Sequence, residues 1–527
     1  MSRRALAILV LLLAPATRAV EGQEWPRPEV FAGGELENYL RYLQTLRVVP
    51  LYPWGLRAFS PTELDRLLPA DTSHPWVARH AFADRPSFVW VSPAANVRIN
   101  TTFPFGYNDG PVWAGRGVTL DVQGGFAARA GVLSLTVAPQ AFLAQNAGFA
   151  LMPNGASGNQ SYGDGMSAGT IDRPQRFGAG AYARLDPGQS TLRVDWRKVA
   201  VGVTTANQYW GPASEFPIML GTNAAGFPHA FLGTARPVDL WLLRIHGRLI
   251  WGRLAQSAFA AETAAAGVRF ATAIAIDFTS RWVPGLEVGF TRFSHRFWPS
   301  GTPSLGYLLQ MFRGGQGGGV NSPTENELAS AFFRWVLPNS GFEVYGEYGR
   351  DDYNQDFRDF IGEPDHIGGY TIGFRKALLR PGERLLAVRA EVQNLQASRL
   401  AQARGWAPFY THAGVHQGHT QLGQVLGSEA GVGGAGTVVA VESYTPSGRW
   451  TWSWTRILRQ QRGDPLGAAP PDARGVDVQH MLAVERLVFR GRCDLLARAT
   501  AIYELNRDFA SDAFNLNVVV GVRAGLR

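Results

Sequence analysis

The 527-residue chain carries 50 Lys and Arg against 42 Asp and Glu, a formal charge of +8, and 46% hydrophobic residues at a mean hydropathy of −0.09. No apolar run reaches the ~20 residues of a membrane-spanning helix, so any crossing of a membrane must use a closed barrel, because lipid cannot satisfy open backbone groups. One cysteine, Cys493, excludes an intrachain disulfide and a cysteine-based metal site.

The first element in chain order is a secretory signal over residues 1–19. Arg3 and Arg4 precede an apolar stretch from Ala5 to Pro15, and Thr17-Arg18-Ala19 places small residues where a signal peptidase reads them. Cleavage after Ala19 removes Arg3, Arg4 and Arg18 and lowers the charge from +8 to +5. Lys198 and Lys376 are the only lysines, so almost every cation is an arginine. Planar guanidinium forks suit carboxylates and phosphates; a GC-rich genome produces the same bias. In an exported chain the basic balance gives no reason to expect nucleic acid.

Residues 20–87 read as a small helical module. Leu36, Leu40, Leu43 and Leu46, with Tyr39, fall at helical spacing. Ser60-Pro61-Thr62-Glu63 forms a capping box with Pro at the first helical position, followed by Leu64, Leu67 and Leu68 on one face. A further short helix is expected from Pro75 to Phe82. A module this small cannot bury much core alone, so it is expected to pack against something larger.

From about residue 88 to residue 527 the pattern switches to period two, which places successive side chains on opposite faces of a strand. Leu516, Val518, Val520 and Val522 alternate with Asn517, Val519, Gly521 and Arg523. Trp241, Leu243, Ile245, Leu249 and Trp251 oppose Arg244, His246 and Arg248; Trp450, Trp452 and Trp454 oppose Thr451, Ser453 and Thr455. So many charged inner faces suit a barrel around a wet lumen better than a soluble sandwich or propeller. Trp241 and Trp251 bracket one strand as interfacial aromatics do.

Short turns are expected at Asp186-Pro187-Gly188, Pro284-Gly285, Pro338–Gly341, Pro381-Gly382 and Pro446–Gly448, and long Gly-rich loops at Trp298–Asn326, Arg350–Gly369 and Ala397–Gly436. Short turns at one rim and long loops at the other mark outer-membrane barrels. Between Pro187 and Pro284 only three runs are visible where hairpins demand an even number. Either Arg197-Lys198 hides a turn or one turn sits at the other rim. The length suggests about 18 strands in one large closed antiparallel barrel. Cys493 reads as an ordinary strand residue.

The most individual stretch is Gln208-Tyr209-Trp210-Gly211-Pro212, then Leu220–His229, Leu232-Gly233-Thr234-Ala235-Arg236-Pro237 and Ile250–Leu254. This ordered series resembles the Wzi family of capsule-assembly proteins, and the helical module followed by a barrel is similar to that family's layout. The resemblance implies an 18-stranded outer-membrane barrel with a periplasmic helical module, a filled lumen, and a lectin function that anchors capsular or other surface polysaccharide without catalysis. One departure is the C-terminus, Leu526-Arg527, where many outer-membrane barrels end in an aromatic residue.

Aromatic rings stack on sugars, so Tyr209, Trp210, Trp298, Trp406 and Tyr410, with Arg236 for an acidic group, are the candidate polysaccharide contacts. Interfacial or loop-packing roles explain the same residues. His412, His416 and His419 have a spacing that zinc can use, but no carboxylate stands beside them before Glu429 and no metal is expected. Asp351, Asp352, Asp356, Asp359, Glu363 and Asp365 read as a solvated acidic loop. There is no Gly-x-Ser-x-Gly elbow, phosphate loop or dinucleotide fingerprint, and nothing supports a nucleophile beside His246, so neither a catalytic residue nor a cofactor is expected. Expected partners are surface polysaccharide, outer-membrane lipid and lipopolysaccharide, with a monomeric barrel. The competing readings are a porin or substrate-specific channel and a barrel-embedded hydrolase.

Overall fold

The structure, a computed structural model, describes residues 29–67, 76, 88–260, 267–312, 324–351, 357–398, 407–461 and 475–524. The expected signal segment, Trp406, Asp352 and Asp356, and all of the helix foreseen from Pro75 to Phe82 except Trp76 lie outside these residues.

Among the described residues, two helices with defined bounds precede the wall. In α1 (Glu35–Thr45) the leucines are buried as foreseen, but so are Glu37, Arg41 and Gln44. A helix with no wet face is an interior helix. At the start of α2 (Pro61–Leu67) the Ser60 backbone N–H and hydroxyl both donate to the Glu63 carboxylate, at 2.9 and 2.7 Å.

The alternating half forms a closed barrel of 21 hydrogen-bonded segments, in which three strands are each broken by a bulge, giving 18 antiparallel strands. In chain order these are β1 (Val89–Asn100), β2 (Gly117–Ala130), β3 (Leu133–Val137 and Gln140–Ala144), β4 (Tyr182–Asp186 and Thr191–Trp196), β5 (Val199–Thr204) and β6 (His229–Thr234 and Val238–Asp239). They continue as β7 (Leu243–Ala255), β8 (Val268–Ser280), β9 (Leu286–Phe297), β10 (Glu325–Leu337), β11 (Phe342–Asp351) and β12 (Gly368–Arg380). The last six are β13 (Arg384–Asn394), β14 (Ala435–Thr445), β15 (Gly448–Gln461), β16 (Val476–Arg490), β17 (Cys493–Arg507) and β18 (Ser511–Ala524). β1 pairs with β18, Val97 opposite Val520, which closes the wall.

Arg197-Lys198 is the two-residue turn joining β4 to β5, with Arg197 in the left-handed region at φ 57°. This turn restores the parity that the sequence left open. The other expectation nearby is corrected: Asp186-Pro187-Gly188 is not a hairpin turn. The two segments of β4 pair in turn with the two segments of β3, so Pro187 sits in a bulge of one continuing strand, where its missing N–H costs no ladder bond.

Outward residues are apolar and inward ones polar. Val97, Val201, Leu232, Trp452 and Val520 are exposed on the outside, while Arg98, Asp121, His246, Glu343 and Asn517 are buried inside. Trp90, Trp196, Trp241, Trp282, Trp335 and Trp450 are exposed near the short-turn rim, an arrangement suited to a membrane interface.

The N-terminal segment fills the mouth at the short-turn end. Leu36, Tyr39, Tyr42, Leu43 and Trp76 pack with Ala377, Leu385, Tyr444 and Leu487 of the wall. Charge fixes this docking. Arg41 reaches Glu343 at 2.6 Å, and Arg334 joins Glu343 (2.8 Å) to Glu287 (3.3 Å). Glu287 in turn accepts the backbone N–H groups of Trp54 and Gly55. Such a buried network is stable only because each charge has a partner.

From the opposite end, residues 205–228 turn into the lumen. Tyr209 and Trp210 pair there with Leu56 and Arg57 of the N-terminal segment as a two-stranded sheet. The next residue, Gly211, has φ 84°, and a Cβ on it would lie 2.5 Å from Glu347 Oε2. Only glycine fits that approach. The expected packing partner of the helical module is therefore the inside of the barrel itself.

Candidate functional site

The long-loop end carries a polar cleft of about 170 Å³ between residues 104–114, residues 164–175, residues 423–431 and the tips of β15–β17. Its first wall is built on Asp164, whose Oδ1 accepts the backbone N–H groups of Met166 (2.9 Å) and Ser167 (2.7 Å) while Oδ2 meets Arg173 at 2.6 Å. Burial raises the Asp164 pKa, but Arg173 and the Ser167 N–H outweigh it and hold the carboxyl below its usual range.

The opposite wall is a ladder of charges. Glu504 joins Arg459 (2.7 Å) and Arg507 (3.0 Å), and Gln479 donates to the same carboxylate at 2.8 Å. Arg507 also lies 4.2 Å over the Phe103 ring. Phe105 and Trp113 add aromatic surface to the cleft.

Glu429 lines the cleft and has no hydrogen-bond partner among the described residues. Burial pushes its carboxyl up to about 8 against the opposing pull of Arg459 and Arg173, which favours the neutral, proton-donating form at pH 7. The cleft thus offers guanidinium forks, carboxylates, a protonated carboxyl and aromatic faces. These match hydroxyl-rich rings bearing anionic substituents.

A second, interior cavity of about 320 Å³ lies between the N-terminal segment and the β14–β17 wall, and Phe105 and Asp109 line both spaces. Arg389 bridges Glu442 (2.8 Å) and Glu215 there, and Arg449 bridges Glu35 (2.5 Å) and Glu485.

The foreseen contact residues do not meet in the cleft. Tyr209 and Trp210 are 2% and 0% exposed, and Arg57 lies 3.8 Å over the Tyr209 ring. Tyr410 is fully buried, donates to the Ile218 carbonyl (2.7 Å) and stacks on His419. No sugar ring can reach these three without unpacking the interior. Arg236 sits at the short-turn rim beside the Arg197-Lys198 turn, where Ala235 N–H donates to the Lys198 carbonyl. Trp298 is 40% exposed on the outer wall at the long-loop rim.

His412 accepts the N–H groups of Gly414 and Val415, and His419 Nε2 meets the Met219 carbonyl at 2.7 Å. Burial brings both imidazoles down to about 4. Among the described residues no three His, Cys, Asp or Glu gather as a metal site. His246 contacts Thr234 (2.6 Å) and Glu63 (3.2 Å), which ties it to α2.

The cleft residues were missed in the sequence because they come from four separate segments. Arg173, Glu429, Arg459 and Arg507 share no spacing, and only the Gly-rich loops hinted that the rim was elaborate.

A family profile described as capsule assembly protein Wzi matches residues 102–449, more than half of the chain. The chain belongs to this family. Among solved structures, Wzi of Escherichia coli, described as an outer membrane protein involved in group 1 capsule assembly and a carbohydrate-binding β-barrel, superposes with a TM-score of 0.64 at 14% identity, over 95% of this chain and 99% of that one. At that identity the likeness shows the fold. OprD of Pseudomonas aeruginosa aligns over 82% of this chain and 93% of its own at 11% identity, with a TM-score of 0.38. No curated protein matches the sequence. The matched residues include Tyr209–Gly211, Arg334 and Glu343 and most of the cleft lining, while Arg459, Gln479, Arg507 and Asp508 lie beyond them.

Proposed function

We propose that this Wzi-family protein sits in the outer membrane and holds an acidic surface polysaccharide of capsular type at the cell surface, without chemistry. The apolar exterior, the tryptophan belt and the contrast of short turns with long loops support the placement, with the N-terminal segment on the periplasmic side. The observation that carries the binding role is the cleft at the long-loop end, where Arg173, Arg459 and Arg507 stand around aromatic surface while packed side chains occupy much of the lumen beneath. Each sugar contact is weak, and repeats of one polymer engaging many copies of the protein on a cell add through effective concentration.

Purified full-length protein is screened against native and foreign surface polysaccharides. Binding of an acidic polymer, reduced by Arg173→Ala or Arg507→Ala with the barrel intact, supports the reading. Absence of binding to every polymer, with stable open-pore conductance in planar bilayers, overturns it in favour of a channel. The interior polar cavity is the feature that favours that second reading.

A further inference from the structure

The outer wall has a notch. β5 and the first segment of β6 have six residues each, fewer than the ~9–11 of a tilted strand that spans the hydrocarbon layer. β7 beside them has 13. The wall falls short here because residues 205–228 leave it for the lumen. The deficit lies at the long-loop side, since the other end of the β4–β5 pair is fixed by the Arg197-Lys198 turn.

An outward-facing groove of about 490 Å³ occupies this notch. Its floor is a register-matched row across four strands: Leu192 opposite Val203, Val203 opposite Ala230, and Ala230 opposite Trp251. Leu192 and Val203 are exposed, and Ala230 at the centre leaves the depression. One flank is raised by residues folded against the outside of the barrel. Trp251 Nε1 donates to the Leu308 carbonyl at 2.9 Å, and Trp298 packs edge-on against Phe270 with ring centroids 5.3 Å apart. Arg253 lines the groove, two residues beyond Trp251 toward the long-loop rim. It is exposed, and its guanidinium has no partner among the described residues.

We infer that this groove seats an acyl chain of an anionic glycolipid of the outer leaflet, with Arg253 against its phosphate. An apolar trough on the lipid-facing wall, reaching the interfacial Trp251, takes a lipid chain, the apolar and flexible group of the layer it faces. The cation at its upper end selects among lipids by headgroup charge, and it is a fork that binds phosphate in a bidentate manner. The inference rests on the membrane placement proposed above but not on the polysaccharide role. The lipid would hold one face of the barrel at fixed height, beneath the loops that carry the cleft.

Full-length protein is purified in detergent, and bound lipid is measured by native mass spectrometry with three probes: bis-phosphorylated lipid A, its dephosphorylated form, and phosphatidylethanolamine. Wild-type protein is expected to retain phosphorylated lipid A preferentially. Arg253→Glu is expected to weaken that probe about tenfold and leave the other two unchanged. Ala230→Trp, which fills the groove, is expected to lower retention of lipid A while Val439→Trp on a distant wall does not. Equal retention of lipid A with and without phosphate, or unchanged retention in Ala230→Trp, overturns the inference. Should Ala230→Trp not assemble, Arg253→Glu and the wild-type probe comparison decide alone. Unchanged polysaccharide binding by Arg253→Glu separates a failure here from a failure of the cleft.

Discussion

Arg41 of the N-terminal helix and Glu343 of the barrel wall lie 302 residues apart in sequence and 2.6 Å apart in space, both with almost no exposure. This pair locks a detached segment into a ring. Removing one partner leaves the other charge buried in the lumen, at a cost of about 3–5 kcal/mol. Arg41→Met is therefore expected to release α1, seen as faster hydrogen exchange over residues 35–67 and as new current in planar bilayers. Exchange that stays at the wild-type rate removes the lock from consideration.

Glu63 gives the same docking a pH dependence. Burial raises its carboxyl, but the His246 hydrogen bond and charge, then Arg193 and Arg248, outweigh this and bring it to about 2. A carboxyl depressed from 4.5 stabilises the folded state fully above pH 4.5 and loses that contribution as pH falls toward 2. The amount is about 3 kcal/mol. Protease protection of residues 29–67 should fall across that window in the wild type. In Glu63→Gln it should start lower and change less with pH.

Trp210 and Tyr410 separate stability from binding. Trp210→Ala empties a fully buried site and is expected to cost about 3–5 kcal/mol. The temperature at which the barrel loses its unheated gel mobility should drop, while polysaccharide affinity per folded molecule holds. A selective loss of affinity at unchanged stability would return these rings to the binding surface.

Glu429 is the opposite titration. Its carboxyl, raised by burial to about 8, favours the protonated form in the folded protein at neutral pH. Its contribution to stability is lost as pH rises from 4.5 toward 8. Through pH 8 it also adds a negative charge to the cleft. Affinity for an acidic polymer is expected to fall through that range in the wild type and to stay level in Glu429→Gln, measured by calorimetry at constant ionic strength.

The wall was legible in the sequence because a strand with one face in lipid and one in water must alternate, as Leu516–Val522 and Trp450–Trp454 do, and the charged inner faces favoured a barrel over a soluble sandwich. α1 was legible as a helix, yet its leucines gave only one face. That Glu37, Arg41 and Gln44 are buried too depends on Trp54, Glu343 and Arg334, which no local pattern reveals. The Asp186-Pro187-Gly188 bulge imitates a turn because bulges and turns favour the same residues. The cleft was illegible for a similar reason: aromatic rings near a Gly-rich loop, such as Tyr209 and Tyr410, are equally good at packing, and their burial follows from the inward turn of residues 205–228.

The inward placement of the N-terminal segment also constrains the order of assembly. Its partners run from Arg129 to Leu487, and the seam that shuts the ring ties Thr101 to Asn515, 414 positions away. Although α1 emerges first from the ribosome, its seat does not exist until the last strand arrives. A segment made before every wall strand is thus the final one to settle, and until then its leucines and Trp54 must be kept from other surfaces.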